Sequence, residues 1–269
     1  MAACAFSISA APPLRLEQAL ERLPAPVQKT IRAQVADGRL RGIDEDNEEG
    51  RVSYDIEMVR QGRVRGFTVG EDGSLLDEEV FLGELPPAVR QTIRKKVSGA
   101  TLGEIDRSME SDGASYEVEI IGGGTNRSFT VNASGKLTDE EVFLAELPQD
   151  FQAAVRKEAG AGSIDEITRS FDDDGTVYDV DVIENGRTRT LTFNANGVLA
   201  SKSEDVALPA VPEAAQKQIQ TLSAGGKLVA LSKVTENGAV SFDVDVRQDG
   251  KVKSFTVADD GTVVSSDAK

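Results

Sequence analysis

The chain has 269 residues, 39% hydrophobic, 28% charged and 5% aromatic, with 30 basic against 46 acidic side chains and a formal net charge of −16. That is a globular composition, and with no histidine and a single cysteine it excludes Ser-His and Cys-His catalysis, histidine-ligated metals, internal disulfides and thiolate clusters. An acidic chain without a dense basic stripe is a poor polyphosphate binder, so nucleic acid is not an expected partner.

Residues 1–21 open with MAACAFSISAAPPL, small and apolar without a positive n-region. The stretch has the composition of the remnant of an export signal, with Ala10 or Ala11 near a small-residue cleavage point. MAAC around Cys4 is compatible with lipoprotein anchoring, and a plain native N-terminus fits the same residues.

From there the chain repeats itself. DEEVFLGELP at 77–86 returns as DEEVFLAELP at 139–148, and Pro24, Pro86, Pro148 and Pro212 are separated by 62, 62 and 64 residues. The same intervals relate Ile31, Ile93, Val155 and Ile219, and likewise Tyr54, Tyr116, Tyr178 and Phe242. Phe67, Phe129, Leu191 and Phe255 follow them, as do Gly73, Gly135, Gly197 and Gly261. The two extra residues fall between Gly197 and Pro212, which is expected to be a connection. Columns agreeing in register signal a four-fold repeat, with units expected at 22–83, 84–145, 146–209 and 210–269.

Each unit opens on Leu-Pro or Val-Pro, where proline suits a helix start. Val27, Ile31 and Val35, then Val89, Ile93 and Val97, make one apolar helical stripe; the fourth helix keeps only Ala215 and Ile219. A short strand is expected around Ile43, Ile105, Ile167 and Leu231. An acidic turn then leads to an alternating strand with Tyr54, Ile56 and Met58 on one face and Asp55 and Glu57 on the other. Gly62, Gly124, Gly186 and Gly250 mark hairpins, and the returning strand carries Phe67 and Val69. The expected fold class is α+β: four tandem repeats, each one helix packed on a four-stranded antiparallel sheet. Modules of this size are marginal alone, so neighbours are expected to share surface through sheet edges or the DEEVFL segments. No stretch approaches the length of an apolar membrane span.

The order helix, Y-x-V-x-V, glycine hairpin, F-x-V-x-x-x-G-x-L, as in Tyr116 to Leu137, resembles the PepSY-like modules related to beta-lactamase-inhibitor protein, over nearly all of residues 22–269. The resemblance implies an extracytoplasmic bacterial protein, periplasmic or secreted, whose sheets present a polar face to another protein. It also implies relatives that inhibit secreted hydrolases. That inhibitor contains disulfides and this chain cannot, so its particular target is not carried over.

Asp55, Glu117, Asp179 and Asp243 share one repeat position, and Glu57, Glu119, Asp181 and Asp245 another; alternation puts all eight opposite the tyrosine face. A two-residue turn at Gln61-Gly62 pairs 55 with 68 and 57 with 66, setting the carboxylates beside Thr68, Gly66, Thr130, Ser128, Thr192, Thr190, Thr256 and Ser254. This row is either an acidic docking surface for a basic or hydrogen-bonding partner or a solvated face that discourages edge aggregation. Arg65, Arg127, Arg189 and Lys253 share the parity of Phe67, so their stems are expected at the core edge with heads in water. Asp172, Asp174, Gly175 and Asp181 have part of a calcium-loop pattern, but a strand follows rather than a helix, and turn chemistry alone asks for these residues. No metal or cofactor is expected. Carboxylate pairs such as Glu78 and Glu79 could act as acid and base only with a pocket to perturb them, and no enzymatic activity is expected. The leading function is a non-enzymatic exported protein that binds another protein, an inhibitor or regulator of a secreted hydrolase. The alternative is a structural or envelope-associated repeat protein, and a third class is a carboxylate- or metal-dependent hydrolase.

Overall fold

The computed structural model describes residues 13–48, 51–110, 113–122, 124–172, 175–248 and 251–266. Cys4, Ala10, Ala11, Asp174 and Gly250 lie outside them. The chain divides into two compact units, residues 1–138 and 139–269.

The first unit begins with helices α1 (Pro13–Leu20) and α2 (Ala25–Val35), followed by strands β1 (Arg39–Glu48), β2 (Arg51–Arg60), β3 (Arg63–Gly70) and β4 (Leu75–Glu79). A short 3-10 turn leads to α3 (Pro87–Lys96), β5 (Thr101–Glu110), β6 (Gly113–Gly122) and β7 (Thr125–Asn132). The second unit takes in most of β8 (Leu137–Glu141), then α4 (Gln149–Ala159), β9 (Ser163–Asp172), β10 (Gly175–Glu184), β11 (Arg187–Asn194) and β12 (Leu199–Asp205). It continues through α5 (Glu213–Leu222), β13 (Lys227–Glu236), β14 (Ala239–Gln248), β15 (Lys251–Ala258) and β16 (Val263–Ser266).

The strands pair in chain order, β1 to β16, as one sixteen-stranded sheet. This corrects the expectation of four repeats, each a helix on four strands of its own. In the first unit β4 is not an edge: it pairs with β3 and, on its far side, with β5 through Asp77↔Ser108, Glu78↔Arg107 and Glu79↔Asp106. In the second unit β8 pairs with β9, and β12 with β13. The physical reason is the five-residue β4. Left alone it would expose a row of unpaired backbone groups, and the 3-10 turn and helix that follow return the chain to that same edge. The strand after each helix is also longer than expected, ten residues with a register shift such as that between Leu40 and Gly42.

The helix starts follow the proline reading. Pro24 and Pro86 sit at the N-caps of α2 and α3, with φ of −53° and −54°, and the amides of Gln28 and Arg90 donate to their carbonyls at 3.0 Å. Buried apolar side chains form two clusters in each unit. In the first, Val27 and Ile31 of α2 meet Tyr54, Ile56, Met58, Phe67 and Val69, while Val89 and Ile93 of α3 meet Ile105, Tyr116, Val118, Phe129 and Val131. In the second, Phe151 and Val155 of α4 cover Val180, Val182, Leu191 and Phe193, and Ala215 and Ile219 of α5 cover Phe242, Val244 and Val257. The Phe151 ring stands edge-on to Tyr178 at 4.8 Å between centroids.

The two extra residues lie in a strand, not in the connection expected for them: β12 has seven residues where β4 and β8 have five. Two residues are one full strand period, so the insertion lengthens β12 without turning its side chains to the other face.

Candidate functional site

With one sheet face covered by helices, every second side chain points to the opposite, open face. The eight acidic residues of the sequence reading all stand there. Asp55 pairs with Thr68 and Glu57 with Gly66, the register expected from the Gln61-Gly62 turn; Glu117 faces Thr130 and Glu119 faces Ser128. In the second unit Asp179 faces Thr192, Asp181 faces Thr190, Asp243 faces Thr256 and Asp245 faces Ser254.

Most of these pairs are hydrogen bonds. Thr192 and Thr190 donate to Asp179 and Asp181 at 2.6 and 2.7 Å, and Thr256 and Ser254 donate to Asp243 and Asp245 at 2.7 and 2.6 Å. The second unit therefore carries a carboxylate row with a hydroxyl donor beside each acid.

The first unit differs. Asp55, Glu57 and Glu119 are joined by Asp77 and Glu79 of β4 and by Glu104 and Asp106 of β5, and these residues line a cavity of about 650 Å³ together with Gly66, Thr68 and Asn126. Across the strands Glu79, Asp106 and Glu117 are successive direct neighbours, an arrangement of like charges that repel one another. Donors are fewer than acceptors. The Thr68 hydroxyl lies 3.0 Å from Asp55 and 3.1 Å from Asp77, and its one proton serves one of them at a time. The Gly66 amide donates to Glu79 at 3.1 Å, the Asn126 amide to Glu119 at 2.7 Å, and Arg41 reaches Glu57 at 3.0 Å.

The electrostatic consequence is a set of carboxyls that ionise reluctantly. Burial, then the charges of Asp77, Glu104, Glu79 and Glu117, push Asp106 up to about 7. Burial raises Asp77, helped by Asp55 and opposed by the Thr68 hydroxyl. Burial also raises Glu79, opposed by the Gly66 amide. A trough of this kind rejects anions and favours any cationic group that enters it, because the newcomer relieves repulsion already present.

Asp179, Asp181, Asp243 and Asp245 belong to the second unit and are not among the trough residues. Asp77, Glu104 and Asp106 were not singled out by the sequence reading, and Glu79 was named there only as a pair with Glu78, which stands on the other face, opposite Phe67 and Arg107. Asp77 and Glu79 alternate within DEEVFL, a segment expected to share surface with the next unit, but their meeting with Thr68 and Asp106 depends on its pairing with β3 and β5. Asp106 follows the core residue Ile105, so parity alone sends it to the open face. Its counterparts at the repeat intervals are Asp44, Thr168 and Ser232, and a search for uniformly acidic columns passes over it.

The basic column departs from expectation at Arg65 and Arg189, while Lys253 is exposed as expected. The Arg65 head is not in water: its side chain is 17% exposed, ion-paired with Glu84, and lies 4.5 Å from the Phe81 ring centre. Arg189 donates to the carbonyls of Ala159 at 2.6 Å and Glu158 at 3.3 Å, a cation at the C-terminus of α4. Lys253 donates to Gln248 at 2.7 Å. On the helix-covered face, ion pairs also cross each seam between a short strand and the long strand beside it. They join Glu78 to Arg107, Glu140 to Arg169, and Glu204 to Lys233, the last at 3.1 Å. Among the described residues no group of three or more histidine, cysteine or carboxylate side chains is arranged to hold a metal ion, and no helix is long and apolar enough to cross a membrane.

No family model matches the sequence, and no curated protein matches it. Among solved structures, part of the chain aligns with a DUF2874 family protein from Bacteroides uniformis at 19% identity, covering 45% of this chain and 88% of that one with a TM-score of 0.39. A BLIP-like protein from Bacteroides fragilis aligns at 20% identity, over 45% of this chain and 86% of that one, with a TM-score of 0.38. A third, from Bacteroides eggerthii, whose description names the periplasm, aligns at 18% identity over 44% and 86% of the two chains, with a TM-score of 0.39.

Proposed function

We propose that this chain is a non-enzymatic, extracytoplasmic binding protein that engages a lysine- or arginine-bearing surface of another protein through the trough of its first unit. The observation that carries the reading is the trough itself: seven carboxylates, Asp55, Glu57, Asp77, Glu79, Glu104, Asp106 and Glu119, around one cavity, with no lysine or arginine among its lining residues. Keeping such charges together costs stability, and a cationic partner recovers that cost on docking. The compartment follows from the resemblance of the strand pattern to PepSY-like modules, whose sequence units we place at 22–83, 84–145, 146–209 and 210–269. Within that class the role proposed is an inhibitor or regulator of a secreted hydrolase.

The test begins with recovery of a partner from an extracytoplasmic fraction and compares two variants by binding kinetics. One neutralises Asp77, Glu79, Asp106 and Glu119 to their amides. The other does the same to Asp179, Asp181, Asp243 and Asp245. The first is expected to slow association and the second to leave it nearly unchanged, and the parent's association rate should fall as salt rises. Equal behaviour of both variants, with no salt dependence, favours the alternative of a structural or envelope-associated protein whose acidic face only keeps it soluble.

A further inference from the structure

The repeat intervals extend to the start of the described chain, and there the structure breaks them. Leu20 stands 62 residues before Leu82, which precedes Leu144 by 62 and Leu208 by 64. By that register Pro13–Glu17 occupies the place of Leu75–Glu79, that is, of β4. Yet residues 13–20 form helix α1, not a strand. PLRLEQAL alternates only over Leu14 to Glu17, is rich in helix formers, and has proline in the first turn where its missing N–H costs nothing.

The position of this helix matters because of what it replaces. β5, β9 and β13 each take a short strand on the side away from their hairpin partner. β1 corresponds to them in register and pairs with β2, and α1 is in contact with it, with Leu16 8% exposed and Leu20 buried in the α2 core cluster. At the other end β16 corresponds to β4, β8 and β12 and pairs with β15. Among the described residues no strand takes its far side, and Val264 is 63% exposed there. An uncharged strand, here VVSS, with one side unpaired is a template for strand addition. The seam geometry within the chain shows which edge would match it: one of the β1 type.

We propose that α1 is an edge cap, occupying the seam-strand place on β1 and so blocking head-to-tail pairing of β1 with β16 of a second copy of this chain. Such a contact is heterologous and adds copies one to the next, in a ring or an open chain, since each added copy presents a fresh β16.

The test uses the full chain with Leu16→Asp, which puts a charge into the α1 contact, and Leu16→Ala, a gentler truncation that keeps the test open if the first variant does not fold. Circular dichroism and amide exchange in β5 to β7 report folding. The parent is expected to scatter light as a 28.7 kDa monomer at all concentrations. A folded Leu16 variant is expected to gain mass with concentration, with amide exchange of β1 accelerated on the order of tenfold at low concentration. Adding Val264→Lys to it should restore the monomer, because a lysine on the edge strand opposes strand addition. The proposal is overturned if the folded variant stays monomeric, if the parent associates as strongly as the variant, or if association survives Val264→Lys.

Discussion

Removing one carboxylate from the trough should make the protein more stable. Asp106 lies between Glu79 and Glu117 on adjacent strands, with Asp77 and Glu104 close by, and its carboxyl titrates at about 7 against an ordinary 3.8. The folded state therefore holds a proton that the unfolded state has released across that window. Stability falls as pH rises from the ordinary value to the raised one, and above it the full cost is present. At 1.36 kcal/mol for each pH unit the undiscounted cost is about 4 kcal/mol. Asp106 is only partly buried, and solvent screening reduces this to roughly 1–3 kcal/mol. Asp106→Asn keeps the shape and removes the charge. Urea denaturation of both proteins should show the variant more stable by that amount near pH 8, with the difference closing toward pH 4. A variant less stable than the parent near pH 8, or a difference that does not change with pH, would refute the electrostatic account of the trough.

Tyr116, 5% exposed in the α3 core, should cost about 2–4 kcal/mol as Tyr116→Ala. Its exposed neighbour Glu117, as Ala, should change denaturant stability by no more than about 0.5 kcal/mol, and in the stabilising direction above pH 7; comparable losses would place the strand inside out. Gly135 has φ of +86°, and a Cβ there would lie 2.8 Å from the Ala88 carbonyl carbon, so Gly135→Ala should lower thermal stability by about 1–3 kcal/mol; a neutral result would mean that the β7–β8 turn does not abut α3. Across the first seam, a double-mutant cycle of Glu78→Ala and Arg107→Ala should give a coupling of about 0.5 kcal/mol that shrinks with salt, since the Arg107 side chain is 40% exposed. A coupling above about 3 kcal/mol would show a desolvated pair instead.

Much of this was legible in the residues because strands report their own parity. Tyr54, Ile56 and Met58 against Asp55 and Glu57 fixed which side was core, and Gln61-Gly62 fixed the hairpin register down to Asp55 opposite Thr68. Helix starts were equally plain, since Pro86 announces α3 and Val89 and Ile93 its buried stripe. Units were expected to meet through sheet edges or the DEEVFL segments; what stayed hidden was which residues of strands distant along the chain would pair. Asp77 and Glu79 have the alternation of a strand, but nothing local says that Ser108 and Asp106 will be their neighbours. That pairing depends on where α3 sets the chain down. The trough inherits the same obscurity, because four of its seven carboxylates come from β4 and β5, and its charges meet only once those strands do. Helix α1 is a third case: a register repeated by its leucines, but filled by a sequence that prefers a helix.

The central claim is that the open face of the first unit, around the β4–β5 seam, receives a cationic protein surface. Backbone amide shifts of the labelled full chain, followed by NMR as the recovered partner is titrated in, test it most directly. The account predicts perturbations concentrated on the open-face positions of β2 to β7, centred on Asp77, Glu79 and Asp106, and weakening as salt is raised. Perturbations confined to the helices, or to the hydroxyl-paired row of Asp179, Asp181, Asp243 and Asp245, would contradict it.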